Sequence, residues 1–242
     1  MSNISVLHVT AGLDFGGVES HLRTIAFTPH KRFEHSFCGI MRGGTEADAI
    51  AKSGGKVHIL NINPWKRPWR SLAALVQLIR EFRPSVVHCH GLEGNFFGLL
   101  AAGFCRVPVR IGEEIGIPDR SAKLRMLMSV IYRLAHRVIG VSEAVRNWLI
   151  ASGEVPPSKA VRIYNPVTMS DRRASAPRQG EPLRVAYLGR LEPVKNLPAL
   201  ISAVNLLPSD ANVEVELIGE GSQRSELGRL IKASALQGKD HL

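Results

Sequence analysis

The chain has 242 residues, 31 of them basic against 21 acidic for a formal charge of +10, with 45% hydrophobic and 21% charged residues. That balance is globular: it excludes collagen, disordered and disulfide-scaffold chains, and the length suits one to two domains able to bury a core without staples. The surplus positive charge favours anionic partners, and its distribution has to say which kind.

In chain order, β-branched runs alternate with helix-period segments. A strand at 5–9 precedes a helix at 17–27, strand 36–41 leads to helix 46–52, and strand 56–60 to helix 71–82. Strand 86–90 leads to helix 95–105, strand 109–113 to helix 122–136, and strand 138–141 to helix 143–151, with a further strand at 161–164. This alternation predicts a parallel sheet with helices on both faces. Ser71 is expected to cap the third helix and Pro84 to break the chain before the next strand. In the helix at 122–136, Leu124, Leu127, Met128, Ile131, Leu134 and Val138 recur at three- and four-residue steps and are expected to lay one apolar stripe on the sheet.

Residues 166–182 carry almost no large apolar side chain and read as a linker. Beyond it, strands at 183–188 and 213–218 alternate with helices at 198–207 and 223–235. Two βα units would leave a sheet edge unpaired, so the second unit is expected to be incomplete and the chain cut short. The expected organisation is a domain at 1–165, a linker at 166–182 and a partial domain at 183–242.

Cys38, Cys89 and Cys105 form no CxxC pair and sit in apolar stretches, which fits a reducing compartment. Residues 1–10 lack the basic lead and cleavage site of a signal peptide, and the longest apolar run, 96–105, falls well short of the ~20 residues of a spanning helix. A cytoplasmic location is expected, with peripheral attachment to the inner face of the membrane as an option. Much of the basic excess lies in Lys66, Arg67 and Arg70, in Arg120, Lys123, Arg125, Arg133 and Arg137, and in Arg172, Arg173 and Arg178. None of these forms a nucleic-acid motif, so no nucleic-acid partner is expected.

Five segments can carry chemistry. Ala11-Gly12-Leu13-Asp14-Phe15-Gly16-Gly17 joins the first strand to the first helix, where glycines admit close approach and free N–H groups can receive an oxyanion; a ligand-free βα turn explains it as well. His88-Cys89-His90 places two imidazoles on one face of a strand. Two histidines do not make a zinc site, and no Cys/His spacing supplies a third ligand, so no metal site is expected; His88 reads as structural, while His90 can face a cleft. Glu113 and Glu114 point to opposite sides of their strand, so at most one reaches a cleft, and a solvated pair or a partner for Arg110 is the plain alternative. Arg190 and Lys195, in Gly189-Arg190-Leu191-Glu192-Pro193-Val194-Lys195-Asn196, can converge on a diphosphate, with Gly219 following the next strand in the same way. Finally, Trp65, Lys66, Arg67, Trp69 and Arg70 interleave indoles and cations as at an anionic lipid surface, unless the tryptophans pack inward.

Taken together, Gly16-Gly17-Val18-Glu19-Ser20-His21-Leu22, Val87-His88-Cys89-His90-Gly91, Val141-Ser142-Glu143-Ala144-Val145, Ile163-Tyr164-Asn165-Pro166-Val167 and Gly189-Arg190-Leu191 with Lys195-Asn196 resemble the retaining GT-B nucleotide-sugar transferases of glycosyltransferase family 4 (group 1). The resemblance implies an α/β chain with a complete N-terminal Rossmann-like parallel sheet on the acceptor side, plus the first two βα units of a second, donor-binding Rossmann-like domain. It implies transfer of a sugar from a nucleoside diphosphate to a glycan or lipid-linked acceptor in cell-surface polysaccharide biosynthesis. Arg190 and Lys195 would stabilise the leaving diphosphate, with Gly16, Gly17 and Gly219 near the donor. No DxD motif occurs, in keeping with transfer without a metal or other cofactor. Where the family carries a histidine at the end of the fifth strand, this chain carries Glu114, which together with His90 makes the catalytic candidates. The family's E-x7-E motif would lie beyond Leu242, so this chain alone is expected to have little or no transferase activity. The alternative, from another class, is a non-catalytic module binding an acceptor and an anionic membrane.

Overall fold

The computed structural model describes residues 3–28, 30–167, 180–208 and 211–233. The chain divides into two compact units, Met1–Met169 and Ser170–Leu242. In the first, β1 (Ile4–Gly12), β2 (Phe33–Arg42), β3 (Lys56–Ile59), β4 (Val86–His90), β5 (Val109–Glu114), β6 (Arg137–Gly140) and β7 (Ala160–Arg162) form one sheet. The strand order is β3-β2-β1-β4-β5-β6-β7, and every neighbouring pair is parallel. The order reverses between β1 and β4, the switch point outside which ligands of doubly wound sheets collect.

The helices are α1 (Gly17–Phe27), α2 (Thr45–Lys52), α3 (Pro68–Phe82), α4 (Gly91–Glu93), α5 (Leu99–Phe104), α6 (Ala122–Tyr132) and α7 (Glu143–Ala151). Strand alternation splits the core in two. Phe37 of β2 joins Leu13, Val18, Leu22, Ala47 and Ile50 beneath α1 and α2, while its neighbour Cys38 joins Leu7, Val9, Val87, Leu75, Leu99 and Met128 on the face covered by the later helices. Cys38 and Cys89 are buried free thiols.

Several boundaries differ from expectation. α3 begins at Pro68, whose fixed φ suits a first helical position, so Ser71 lies inside the helix, buried, with its hydroxyl unpaired. α6 ends at Tyr132, because Leu134 and Ala135 bond back by three residues and His136 N–H donates to Arg110 across the sheet edge. Met128, Ile131 and Tyr132 form its buried stripe, but Leu127 is 42% exposed beside Met126 and Val130. The chain enters its fourth helical segment at Gly91 and passes through a π-helical turn, Gly94–Gly98, before α5. β7 is shorter and earlier than 161–164.

The second unit pairs β8 (Leu183–Leu188) and β9 (Val213–Ile218) in parallel, with α8 (Leu197–Asn205) and α9 (Arg224–Lys232) over one face. Its core is Leu191, Leu197, Ile201, Leu217, Leu227 and Ile231. Leu188 and Ile218, on the other face of these strands, are exposed. Arg172, Arg173 and Arg178, most of the expected linker, and residues 234–235 of the expected last helix lie outside the described residues.

Candidate functional site

Strands β1, β2, β4 and β5 bring together residues far apart in the chain. Because His8 pairs with His88 in the register of β1 and β4, and β2 and β5 flank them, His8, His35, His88, His90 and Glu113 share one face of the sheet. His21 of α1 closes over them.

A continuous hydrogen-bonded chain results. His90 Nδ1 lies 3.2 Å from Glu113 Oε1, His90 Nε2 lies 3.0 Å from His8 Nδ1, and His8 Nε2 lies 2.9 Å from His35 Nδ1. With Glu113 ionised, His90 donates through Nδ1, and each neutral ring must then accept at Nε2 from the next ring's Nδ1–H, so one end of the chain fixes all three tautomers. His88 Nε2 stands 3.0 Å from Glu113 Oε2 and His21 Nδ1 stands 3.6 Å from Oε1, yet both nitrogens are buried without an aligned hydrogen-bond partner.

Burial, reinforced by the neighbouring imidazoles, holds His8 well below the ordinary histidine range, and burial with His88 lowers His90 to about 4 against the pull of Glu113. Burial also lowers His35 and His21. For Glu113, burial works to raise the carboxyl, but the close approach of His88 and the bond to His90 win and keep it below the usual carboxylate range.

Glu114 faces the other way. It is buried and accepts from Tyr132 Oη, Asn95 Nδ2 at 3.1 Å and the Arg120 guanidinium, which also reaches Glu154 at 2.6 Å. Its carboxylate is thus committed to a structural network on the helix-covered face, and Glu113 is the one set among the histidines. Arg110 is the partner of neither glutamate: it donates to the Leu134 and Val107 carbonyls. Asn95, which no motif marks, is fully buried in the π-helical turn. Its Oδ1 accepts from Glu113 N–H at 3.1 Å and its Nδ2 donates to Glu113 O at 2.9 Å, clamping the backbone from which both glutamates project.

The glycine turn leads into α1, the helix that carries His21. Gly16 precedes α1 in extended backbone, and a Cβ there would run into the Glu19 carboxylate, whereas one on Gly17 would meet open space. Ser20 N–H already bonds Gly16 O, leaving the other N–H groups of the first turn available for an anion.

In the second unit, Arg190 and Lys195 are both exposed, on the loop between β8 and α8, and neither side chain is in a hydrogen bond or ion pair among the described residues. The nearby carboxylate of Glu192 is engaged elsewhere, accepting from Ser222 N–H at 3.1 Å and Ser222 Oγ at 2.7 Å. Gly219 (φ 153°) lets the β9 loop press on the first: a Cβ there would strike the carbonyl of Gly189.

The tryptophans divide. Trp65, 47% exposed, packs on Phe96 and Phe97 and donates from Nε1 to Glu93 at 3.1 Å, while Trp69 is 81% exposed beside the exposed Lys66, Arg67 and Arg70.

A parallel sheet wound on both faces, followed by a second unit of parallel βα construction, is the plan of the GT-B glycosyltransferases. The chain belongs to Glycosyltransferase Family 4, whose family model matches residues 15–171. It is 23% identical over 235 residues to the capsular polysaccharide biosynthesis glycosyltransferase CapH of Staphylococcus aureus, a match covering 93% of this chain and 64% of that relative. Its fold is that of Anabaena Alr3699/HepE, solved in complex with UDP, at a TM-score of 0.78 and 18% identity over 98% of this chain and 68% of that one. The lipopolysaccharide outer core galactosyltransferase WaaB matches at a TM-score of 0.69 and 17% identity, over 98% and 67% of the two chains. The chain thus spans about two thirds of the length of these proteins.

Proposed function

We propose that the protein is a glycosyltransferase that moves a sugar, with retention at the anomeric carbon, from a uridine-diphosphate sugar to a glycan or lipid-linked acceptor in polysaccharide biosynthesis. The observation that carries this reading is the family match over residues 15–171. The named relatives support its direction, since CapH is a capsular polysaccharide transferase and HepE is solved with UDP and with UDP-glucose.

In this reading the first unit receives the acceptor near the ends of β4 and β5, where His90 is buried with both ring nitrogens engaged and Glu114 holds the strand end in place. The second unit takes the donor. Arg190 and Lys195 neutralise the diphosphate as the glycosidic C–O bond breaks, at a loop where the local acid is already tied to Ser222. Gly219 keeps the two phosphate-side loops tight. Charge on this leaving group is met by protein cations, in keeping with a sequence that has no DxD motif.

The test is a panel of UDP- and GDP-sugars given to this chain and to a form extended to the length of its relatives. Release of UDP by the extended form with at least one donor is expected; no turnover by the extended form contradicts the proposal.

A second reading has one observation in its favour, the exposed Trp69 among Lys66, Arg67 and Arg70. An indole free of the core, ringed by cations, suits an anionic lipid surface. Sedimentation with anionic liposomes should fall on raising salt and in Trp69→Ala, and more weakly in Trp65→Ala; binding insensitive to salt and to Trp69→Ala rejects membrane attachment.

A further inference from the structure

The histidine cluster is more than a glycosyl-transfer site requires. Three imidazoles, from His8, His88 and His90, each place a ring nitrogen within 4.8 Å of the other two. The sequence offered only the pair in β4; the third comes from β1, 80 residues earlier, through the parallel register that sets His8 against His88.

We propose that His8, His88 and His90 form a binding site for one divalent transition-metal ion of the zinc type, with Glu113 and His35 as the outer partners that orient its ligands.

Each ligand has such a partner. Glu113 Oε1 lies 3.2 Å from His90 Nδ1 and Oε2 lies 3.0 Å from His88 Nε2, so one carboxylate stands behind both rings. His8 Nε2 meets His35 Nδ1 at 2.9 Å, leaving Nδ1. A carboxylate or a second ring behind each metal-bound imidazole is the usual means of fixing tautomer and angle.

The fit is close. Zinc–nitrogen bonds of 2.0–2.1 Å in a tetrahedron separate the nitrogens by ~3.3 Å, and His8 Nδ1 and His90 Nε2 are now 3.0 Å apart. Opening by a few tenths of an ångström replaces their mutual hydrogen bond with two metal bonds. No proton leaves: the hydrogen on His8 Nδ1 is given up and regained at Nε2, which then donates to His35 Nδ1, whose own proton moves to Nε2. His8, His35 and His88 border a cavity of about 490 Å³, through which an ion can reach them. Imidazole donors suit zinc, copper, nickel and cobalt, and their neutral charge disfavours magnesium and calcium.

The experiment uses the tag-free 242-residue chain after chelator treatment, titrated with zinc against a chromophoric indicator and with cobalt(II) for its visible absorption. The expected result is one ion per chain, with cobalt bands of four-coordinate intensity. His8→Gln and His88→Gln should each weaken zinc binding at least 100-fold, and Glu113→Gln, which keeps the shape of the site, about 10–100-fold. His136→Gln, at an exposed ring away from the cluster, should bind like the unaltered chain. Far-ultraviolet circular dichroism separates lost ligation from lost fold, and the unaltered chain decides by itself: uptake well below one ion per chain overturns the proposal. So does one bound ion with affinity unchanged in folded His8→Gln, which would place it at other histidines. The result is independent of donor turnover.

Discussion

Glu113 holds two imidazoles with one carboxylate while buried to 3% side-chain exposure, and the rings behind it extend that interaction to β2. The cluster makes stability depend on pH. His90, at about 4 when folded against about 6.5 when unfolded, binds its proton more readily in the unfolded chain, so stability is complete above pH 6.5 and is lost as pH falls toward 4. At ~1.4 kcal/mol per pH unit this one ring costs on the order of 3 kcal/mol by pH 4, and His8 adds to it in the same direction. Urea unfolding in the presence of chelator from pH 7.5 to 4.5 should show the decline, and His90→Gln should flatten it; a pH-independent midpoint between 6.5 and 4.5 contradicts it. His88 and His90 were legible as a same-face pair from strand alternation. His8, His21 and His35 were not singled out, because only strand order makes them neighbours. Glu114 shows the converse: alternation correctly separated it from Glu113, but nothing local revealed Asn95, Tyr132 and Arg120 waiting on its side.

The π-helical turn between α4 and α5 is what aims Asn95 at β5. One extra residue in the turn shifts the helical phase, a device common at functional sites, and glycines allow it to lie on the sheet: a Cβ at Gly94 would strike the Val9 carbonyl, and one at Gly98 would come within 2.5 Å of Cys89 Sγ. Gly98→Ala should therefore destabilise by about 1–3 kcal/mol through overpacking, measured as a lower urea midpoint; no loss would show the helix free to move away. The segment after β5 is secured by ions. Arg120 bridges Glu114 and Glu154, and each of the three side chains is at most 5% exposed. Arg120→Ala strands two buried carboxylates and should cost about 3–5 kcal/mol, with Arg120→Lys intermediate because an ammonium cannot fork to both. Equal stability of all three forms would contradict that role. The existence and order of these elements followed from periodicity. Their ends did not: Pro68 started α3 a turn before Ser71, and tertiary bonds at Arg110 stopped α6 before His136.

Across the molecule, the alternation of strands and helices was enough to foresee a parallel, doubly wound sheet, because a strand–helix–strand crossover leaves few other arrangements. That Arg190 and Lys195 stand exposed on a loop after a strand was legible, and the structure adds that the neighbouring Glu192 is bound by Ser222. Hidden from the sequence was the division of the tryptophans, since Trp65 finds Phe96 and Phe97 only once α3 and the π-helical turn pack together. The exposed Met126, Leu127 and Val130 on α6 were likewise hidden, because a stripe at helical spacing does not say where the helix axis points. The account rests on a diphosphate leaving group met by two cations, and single-turnover release of UDP from a donor sugar, in the form extended to family length, measures that step. The prediction is a rate lower by at least 100-fold in Arg190→Ala and in Lys195→Ala with the fold intact; release as fast in both variants as in the unaltered protein would contradict it.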